Sequence, residues 1–160
     1  MGILGIVNIY NLAEKQGYVT EVGTLIYNEW SFKVNSDSLN KAITRVGNSL
    51  NKNTVPQTFI ALSGDVLVGF VSLWDHDGDE HLDLAPWLAT LYVKEEYRGL
   101  QISKQLNERV ISSAQQLNYQ KLYLKTNLLN FYKKYGWVKI ETMGNGENLY
   151  CFNLTSKNKL

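Results

Sequence analysis

The stretch from Trp87 to Lys125 constrains the fold more than any other. Trp87–Val93 reads as a strand, Ile102, Leu106, Val110, Ala114 and Leu117 recur at helical spacing, and Lys121–Lys125 reads as a second strand. A strand, a helix and a strand in direct succession require the helix to cross one face of a sheet. Upstream, Phe59–Leu62 and Val66–Trp74 are strand-like runs joined by Ser63-Gly64-Asp65, a hairpin signal. Downstream, Leu128–Tyr135 reads as a short helix ended by Gly136, followed by a closing hairpin of Trp137–Met143 and Leu149–Leu154.

The first third of the chain adds a strand over Ile3–Ile9 and a helix over Tyr18–Trp30. A second helix is expected with Ser36 as N-cap and Leu39, Ile43, Val46 and Leu50 as its apolar stripe. The element order is therefore β-α-α-β-β-β-α-β-α-β-β. It predicts an α/β (α+β) fold, with a mixed, mostly antiparallel sheet of six to seven strands and helices on both faces. No repeat, low-complexity tract or linker interrupts the 160 residues, so one domain over 1–160 is expected.

Composition narrows the function. Hydrophobic residues at 44% and charged residues at 19% suit a packed core rather than disorder. No window approaches the roughly 18 apolar residues of a membrane span. Met1–Tyr10 lacks a basic leader and a small-residue cleavage site, so it is not read as a signal peptide and cytoplasm is the default location. Cys151 is the single cysteine, and its place in an apolar closing strand suits buried filler better than a nucleophile.

The net charge of +1 argues against broad electrostatic binding of nucleic acid, but it hides an asymmetry. Residues 53–93 carry six acids (Asp65, Asp75, Asp77, Asp79, Glu80 and Asp83) and no Lys or Arg, whereas residues 94–160 carry 11 basic and 5 acidic groups. That distribution suits a protein handling one cation and one polyanion; chance accounts for it about equally well.

The chemistry concentrates in Ala85–Leu106. A strand ending at Val93, a turn holding Arg98 and Gly99, and a helix beginning near Leu100 aim unpaired amides and the positive end of a helix dipole at one point. Such a point is suited to a pyrophosphate, with Arg98 as a charged fork at its edge. Ordinary helix capping is the simpler reading of the junction alone.

This segment resembles the cofactor motif of the GNAT N-acyltransferases, in which Arg or Gln is followed three positions later by Gly and two beyond that by Gly or Ala. Gly69–Asp75 and Pro86–Val93 also look like members of that superfamily. Phe131-Tyr132-Lys133-Lys134-Tyr135-Gly136-Trp137 is similar to its other recurrent signature, an aromatic-Tyr pair followed by Gly and an aromatic. The pieces stand in family order over about residues 59–154; residues 1–58 match only in their strand–helix–helix layout. Two positions depart from the motif. Gln101 stands where the family usually has Gly, and Ser103 where it has Gly or Ala. If Gln101 takes a positive φ, its Cβ is strained there.

The resemblance implies an acetyltransferase using acetyl-CoA, with the pyrophosphate on the amides of Arg98, Gly99, Leu100, Gln101, Ile102 and Ser103. The pantetheine would lie along Leu91, Tyr92 and Val93, in a slot opened by a strand distorted near Pro86. Asn127 falls loosely at another cofactor-contacting position. Tyr132 matches the tyrosine thought to protonate the departing thiolate, a role typically worth about 10²–10⁴ in rate. The oxyanion would be polarised by backbone N–H groups of Leu91–Val93.

The acceptor is expected to be a small cationic amine drawn to the acidic middle segment. Asp75, Glu80, Asp83 or the loop histidines His76 and His81 would take its proton, and Trp30, Trp74 and Trp87 are candidate pocket walls. A solvated loop explains the two histidines better than a metal site, and no metal is expected. The alternative function is a catalytically idle GNAT-fold module that senses acyl-CoA or binds a partner, favoured by Gln101, Ser103 and the lack of a carboxylate within Trp87–Val93. A homodimer is allowed, dimers being common among relatives.

Overall fold

A computed structural model of the chain describes residues 5–31, 37–78, 80–128 and 130–155. Seven strands form one sheet: β1 (Val7–Asn11), β2 (Gln57–Ser63), β3 (Val66–Trp74), β4 (Trp87–Val93), β5 (Lys121–Thr126), β6 (Val138–Thr142) and β7 (Asn148–Asn153). Their order across the sheet is β1-β2-β3-β4-β5-β7-β6, and every neighbouring pair is antiparallel except β4 with β5. The helices are α1 (Val19–Ile26), extended by a π-helical turn over Tyr27–Ser31, then α2 (Asp37–Gly47) and α3 (Ile102–Gln116). The expected mixed sheet is the architecture found. Its single parallel pair sits where the strand–helix–strand pattern requires it.

Alternation along the central strands sorts side chains between the two faces. Phe59, Ala61, Val68 and Val71 pack beneath Ile102, Leu106 and Val110 of α3. Ile60, Leu62, Leu67 and Phe70 point the other way, against Val22, Ile26 and Val46 of α1 and α2. Being covered on both faces explains why β2 and β3 read as nearly continuous apolar runs. Close approach is tightest at Gly69, where a Cβ would lie 2.8 Å from the Tyr92 carbonyl oxygen and 3.3 Å from Leu106 Cδ1. That glycine lets β3, β4 and α3 meet directly under the strand–helix junction. A third cluster of Trp87, Tyr123, Met143 and Leu149 binds β4 and β5 to the closing hairpin.

Three local expectations need correction. Among the described residues, Leu128–Tyr135 contains only a 3₁₀ turn, Lys133–Tyr135, which Gly136 closes at φ +96°. It is too short to nucleate a stable α-helix and is held by the aromatic packing of Phe131, Tyr132 and Trp137. The first strand begins at Val7 among the described residues, and the cap expected at Ser36 lies outside them. The strand distortion expected near Pro86 lies instead at Thr90.

Candidate functional site

The site begins with a sheet that opens part-way along. The parallel ladder of β4 with β5 is a single pair, Trp87 with Tyr123, tied by the Tyr123 N–H donating to the Pro86 carbonyl at 3.1 Å. Beyond it the register of β4 against β3 shifts between Phe70 and Ser72, and Thr90 takes φ +52°. Such a bulge bends the strand and ends its pairing on one side. Pro86 therefore sits at the closed end of the gap, and Thr90 is where it opens. Past the bulge, the Lys94 N–H donates to the Val68 carbonyl at 2.9 Å. Strand alternation then turns the N–H groups of Leu91 and Val93 away from β3, toward the open edge.

The strain at Thr90 is held by a buried chain of hydroxyls. Thr90 Oγ1 donates to Ser72 Oγ at 2.9 Å, Ser72 and Thr58 are 3.2 Å apart, and Thr58 and Ser49 are 2.7 Å apart. Ser49 Oγ in turn donates to the Val46 carbonyl at 2.6 Å. Each hydroxyl has one proton, so the two fixed ends orient the two middle bonds. Every member donates inward, from Thr90 to Val46. The outer lone pairs of Thr90 Oγ1 remain free to accept from the gap.

The N-terminus of α3 forms the second half of the site. Gly99 and Gln101 both have positive φ, +79° and +67°, and the Gln101 side chain makes no capping bond. The first intrahelical bond at this end runs from the Gln105 N–H to the Gln101 carbonyl, so the amides of Ile102, Ser103 and Lys104 have no partner within the helix. Gln101 thus occupies the left-handed conformation that a glycine adopts without strain. Holding a non-glycine residue there costs about 1–3 kcal/mol. Arg98 folds back, its Nε donating to the Val93 carbonyl at 2.8 Å, which clamps the end of β4 to the junction.

Two cavities meet at this opening. The first, about 570 Å³, is lined by Leu91, Tyr92 and Val93, by Arg98, Gly99 and Gln101 through Lys104, and by Phe131, Tyr132 and Lys134. The second, about 670 Å³, is lined by Thr90, Trp30, Trp74 and Tyr132 together with Arg45, Asp77, Lys125 and Glu147. Glu29, Leu91, Leu128 and Tyr132 line both. Tyr132 is 6% exposed, and burial pushes its phenol well above the ordinary tyrosine value, so it holds its proton at neutral pH.

Besides Glu29, the charges of the second cavity come from four separate segments. Arg45 of α2 stacks over the Trp74 ring, 3.6 Å from its centroid, and donates to the His76 carbonyl at 3.3 Å. Burial lowers the Arg45 pKa, and Asp77 opposes that shift. Burial raises the Asp77 carboxyl above its usual range; Lys125 and Arg45 pull it back, and Glu147 adds to the rise. A Cβ on Gly78 would lie 2.8 Å from Lys125 Nζ, so that ammonium abuts the Asp77 loop.

The sequence-derived residues divide unevenly between these cavities. Leu91, Tyr92, Val93, Arg98, Gly99, Gln101, Ile102, Ser103 and Tyr132 line the first, while the Leu100 side chain is 42% exposed and does not line it. Asn127 lies in the second cavity and not the first. Trp30 lines the second cavity at 50% exposure, but Trp87 is sealed in the core, its Nε1 donating to the Leu84 carbonyl at 2.8 Å. Trp87 belongs to the cluster that closes the base of the gap and lines neither cavity.

Asp75, Glu80 and Asp83 line neither cavity, and His81 is engaged by Glu141 at 2.9 Å. Glu29, Thr90, Arg45, Asp77, Lys125 and Glu147 were not singled out from the sequence. Asp77 falls within the acidic run already noted and Thr90 within the family-like stretch Pro86–Val93; the other four carry no motif. Among the described residues no group of three His, Cys, Asp or Glu could hold a metal, and no helix is long and apolar enough to cross a membrane.

The arrangement agrees with what comparison shows. The profile of the GNAT acetyltransferase domain matches residues 55–139. The chain belongs to this family. An uncharacterized N-acetyltransferase of Dictyostelium discoideum is 38% identical over 56 residues, a match spanning 32% of this chain and 26% of that protein. The fold is shared with an acetyltransferase of the GNAT family from Staphylococcus aureus Mu50, at TM-score 0.66 and 23% identity over 94% of this chain and all 100% of that one. It is shared also with an aminoglycoside 6′-N-acetyltransferase complexed with coenzyme A, at TM-score 0.71 and 16% identity, covering 96% and 99% of the two chains. A third such structure is yncA of Salmonella typhimurium with acetyl-CoA, at TM-score 0.69 and 13% identity over 95% and 96%.

Proposed function

We propose that this chain is a single-domain N-acetyltransferase over residues 1–160 that moves the acetyl group of acetyl-CoA onto the primary amine of a small cationic molecule. The observation that carries this is the meeting of two cavities at Leu91 and Tyr132, one rimmed by unpartnered helix amides and the other by carboxylates and tryptophan. The unpaired amides at the start of α3, with Arg98, Lys104 and Lys134 around them, suit a pyrophosphate. The coenzyme A and acetyl-CoA held by two fold relatives favour the same ligand here.

In this reading the outward N–H groups of Leu91 and Val93 polarise the thioester carbonyl as the amine attacks. Thr90 Oγ1, already donating to Ser72, accepts a hydrogen bond from the amine and aims its lone pair. Glu29, the one carboxylate lining both cavities among the described residues, takes the ammonium proton. Tyr132, protonated at neutral pH, donates its proton to the departing thiolate and is reprotonated from solvent, while Glu29 releases the proton it took. Transfer is direct, with no acyl-enzyme.

The test is release of free thiol from acetyl-CoA across a panel of primary amines, expected to saturate in both substrates. A second reading is favoured by Gln101 at φ +67° and by Ser103: an idle module that binds acyl-CoA without transfer. It predicts saturable acetyl-CoA binding with no thiol release for any amine.

A further inference from the structure

Apart from Glu29, which both cavities share, two positive and two negative side chains converge on the second cavity from four parts of the chain. Arg45 comes from α2, Asp77 from the loop after β3, Lys125 from β5 and Glu147 from the turn between β6 and β7. None of them takes part in an ion pair among the described residues. Arg45 spends one donor on the His76 carbonyl and Glu147 Oε1 accepts from Asn145 Nδ2 at 2.8 Å, while Lys125 and Asp77 make no side-chain hydrogen bond among the described residues. Opposite charges brought together without direct pairing carry a desolvation cost that their own contacts do not repay. A ligand bearing both signs would repay it, with its carboxylate on Arg45 and Lys125 and its ammonium on Asp77 and Glu147.

These four residues line the second cavity alone, whereas Leu91 and Tyr132 line both, so the charged cluster stands off from the point of transfer. At about 670 Å³ the cavity holds more than one amino-acid head group. The flat Trp74 face beneath Arg45 fixes the guanidinium for a bidentate carboxylate. We infer that the acceptor is a diamino acid, its zwitterionic head held by Arg45, Lys125, Asp77 and Glu147 and its side-chain amine reaching Tyr132 through a short aliphatic spacer. This rests on the acetyl-transfer reading and names its substrate class. Such a molecule is small and carries net positive charge. A polycation such as an aminoglycoside would instead bring ammonium groups against Arg45 and Lys125.

The experiment compares lysine and ornithine with their decarboxylated counterparts, pentane-1,5-diamine and butane-1,4-diamine, and with kanamycin, by thiol release from acetyl-CoA. Lysine or ornithine is expected to exceed its diamine in kcat/KM by about 10- to 100-fold, the worth of one or two charge-assisted bonds. Arg45→Gln and Lys125→Gln are each expected to shrink that preference. Lys125→Gln serves as the check in case Arg45→Gln unsettles the Trp74 stack. A diamine or kanamycin used better than the amino acid, or a preference neither variant moves, would overturn the inference while leaving acetyl transfer intact. If no amine releases thiol, lysine is titrated calorimetrically into the CoA-loaded protein. Saturable binding weakened by Lys125→Gln keeps the head-group site and removes the transferase reading; absence of binding removes both.

Discussion

The two cavities that meet at Tyr132 are built on different principles. The one at the start of α3 is largely backbone: amides left over by a helix terminus, the outward edge of β4 after a bulge, and two residues at positive φ. The other is assembled from side chains of α2, β3, β5, a loop and a turn that are distant in sequence. A backbone site is set by where elements begin and end, so it survives wide changes in side chain. A side-chain site is set by a handful of positions and changes with each of them. One fold can therefore keep a common donor substrate while its acceptor varies.

The largest effect should come from Tyr132, one of the residues both cavities share. Tyr132→Phe is expected to lower kcat by about 10²–10⁴ while the acetyl-CoA dissociation constant, read by calorimetry, changes by less than a few-fold. Equal losses in turnover and binding would make Tyr132 a packing residue only. Thr90→Val removes the acceptor oxygen and the bond to Ser72. It should raise KM for the amine by about tenfold with acetyl-CoA affinity kept, and Thr90→Ser should restore most of it. A uniform loss in both substrates would mean that the bulge had collapsed and that the two sites are not separable.

Much of the backbone half was legible before the fold was seen. The apolar stripe from Ile102 to Leu117 and the flanking strands placed α3 and its N-terminus, and Gly99 marked the turn. The bulge at Thr90 was not legible, because the hydroxyl chain that holds it joins residues 49, 58, 72 and 90, and no local pattern announces such a contact. The side-chain half was mostly illegible for the same reason. Lys125 continues a strand, Glu147 sits in a hairpin turn, and Arg45 lies on an amphipathic helix; only folding brings them together. The acidic run drew attention to the right loop, but Asp77 faces the cavity while Asp75, Glu80 and Asp83 do not.

Smaller effects sharpen the contrast further. Gln101→Gly relieves the Cβ strain at φ +67°, partly offset by the greater freedom of glycine in the unfolded chain. It should raise unfolding stability by about 1 kcal/mol in denaturant titrations and leave or improve acetyl-CoA affinity. Lower affinity would show that the Gln101 side chain itself holds the ligand and that the backbone description is incomplete.

Asp77 tests the other cavity through pH. Burial raises its carboxyl in the folded protein, so the fold prefers the protonated form. The stability from that preference is complete below the ordinary carboxylate pKa and is lost as pH rises through the folded value. Asp77→Asn should accordingly melt higher than the parent at neutral pH, with the difference fading toward acid pH. A difference in melting temperature that is flat across pH would assign the effect to lost contacts rather than to a buried charge.

The central claim is that the α3 terminus, despite Gln101 and Ser103, holds the donor substrate. The most direct measurement is a calorimetric titration of acetyl-CoA into the purified protein, with free CoA as the comparison. The account predicts saturable binding at one site for both ligands, with CoA and acetyl-CoA similar because the helix amides and Arg98 meet the part they share. No detectable heat at millimolar ligand would contradict it, leaving a GNAT fold whose cofactor cavity does not bind its cofactor.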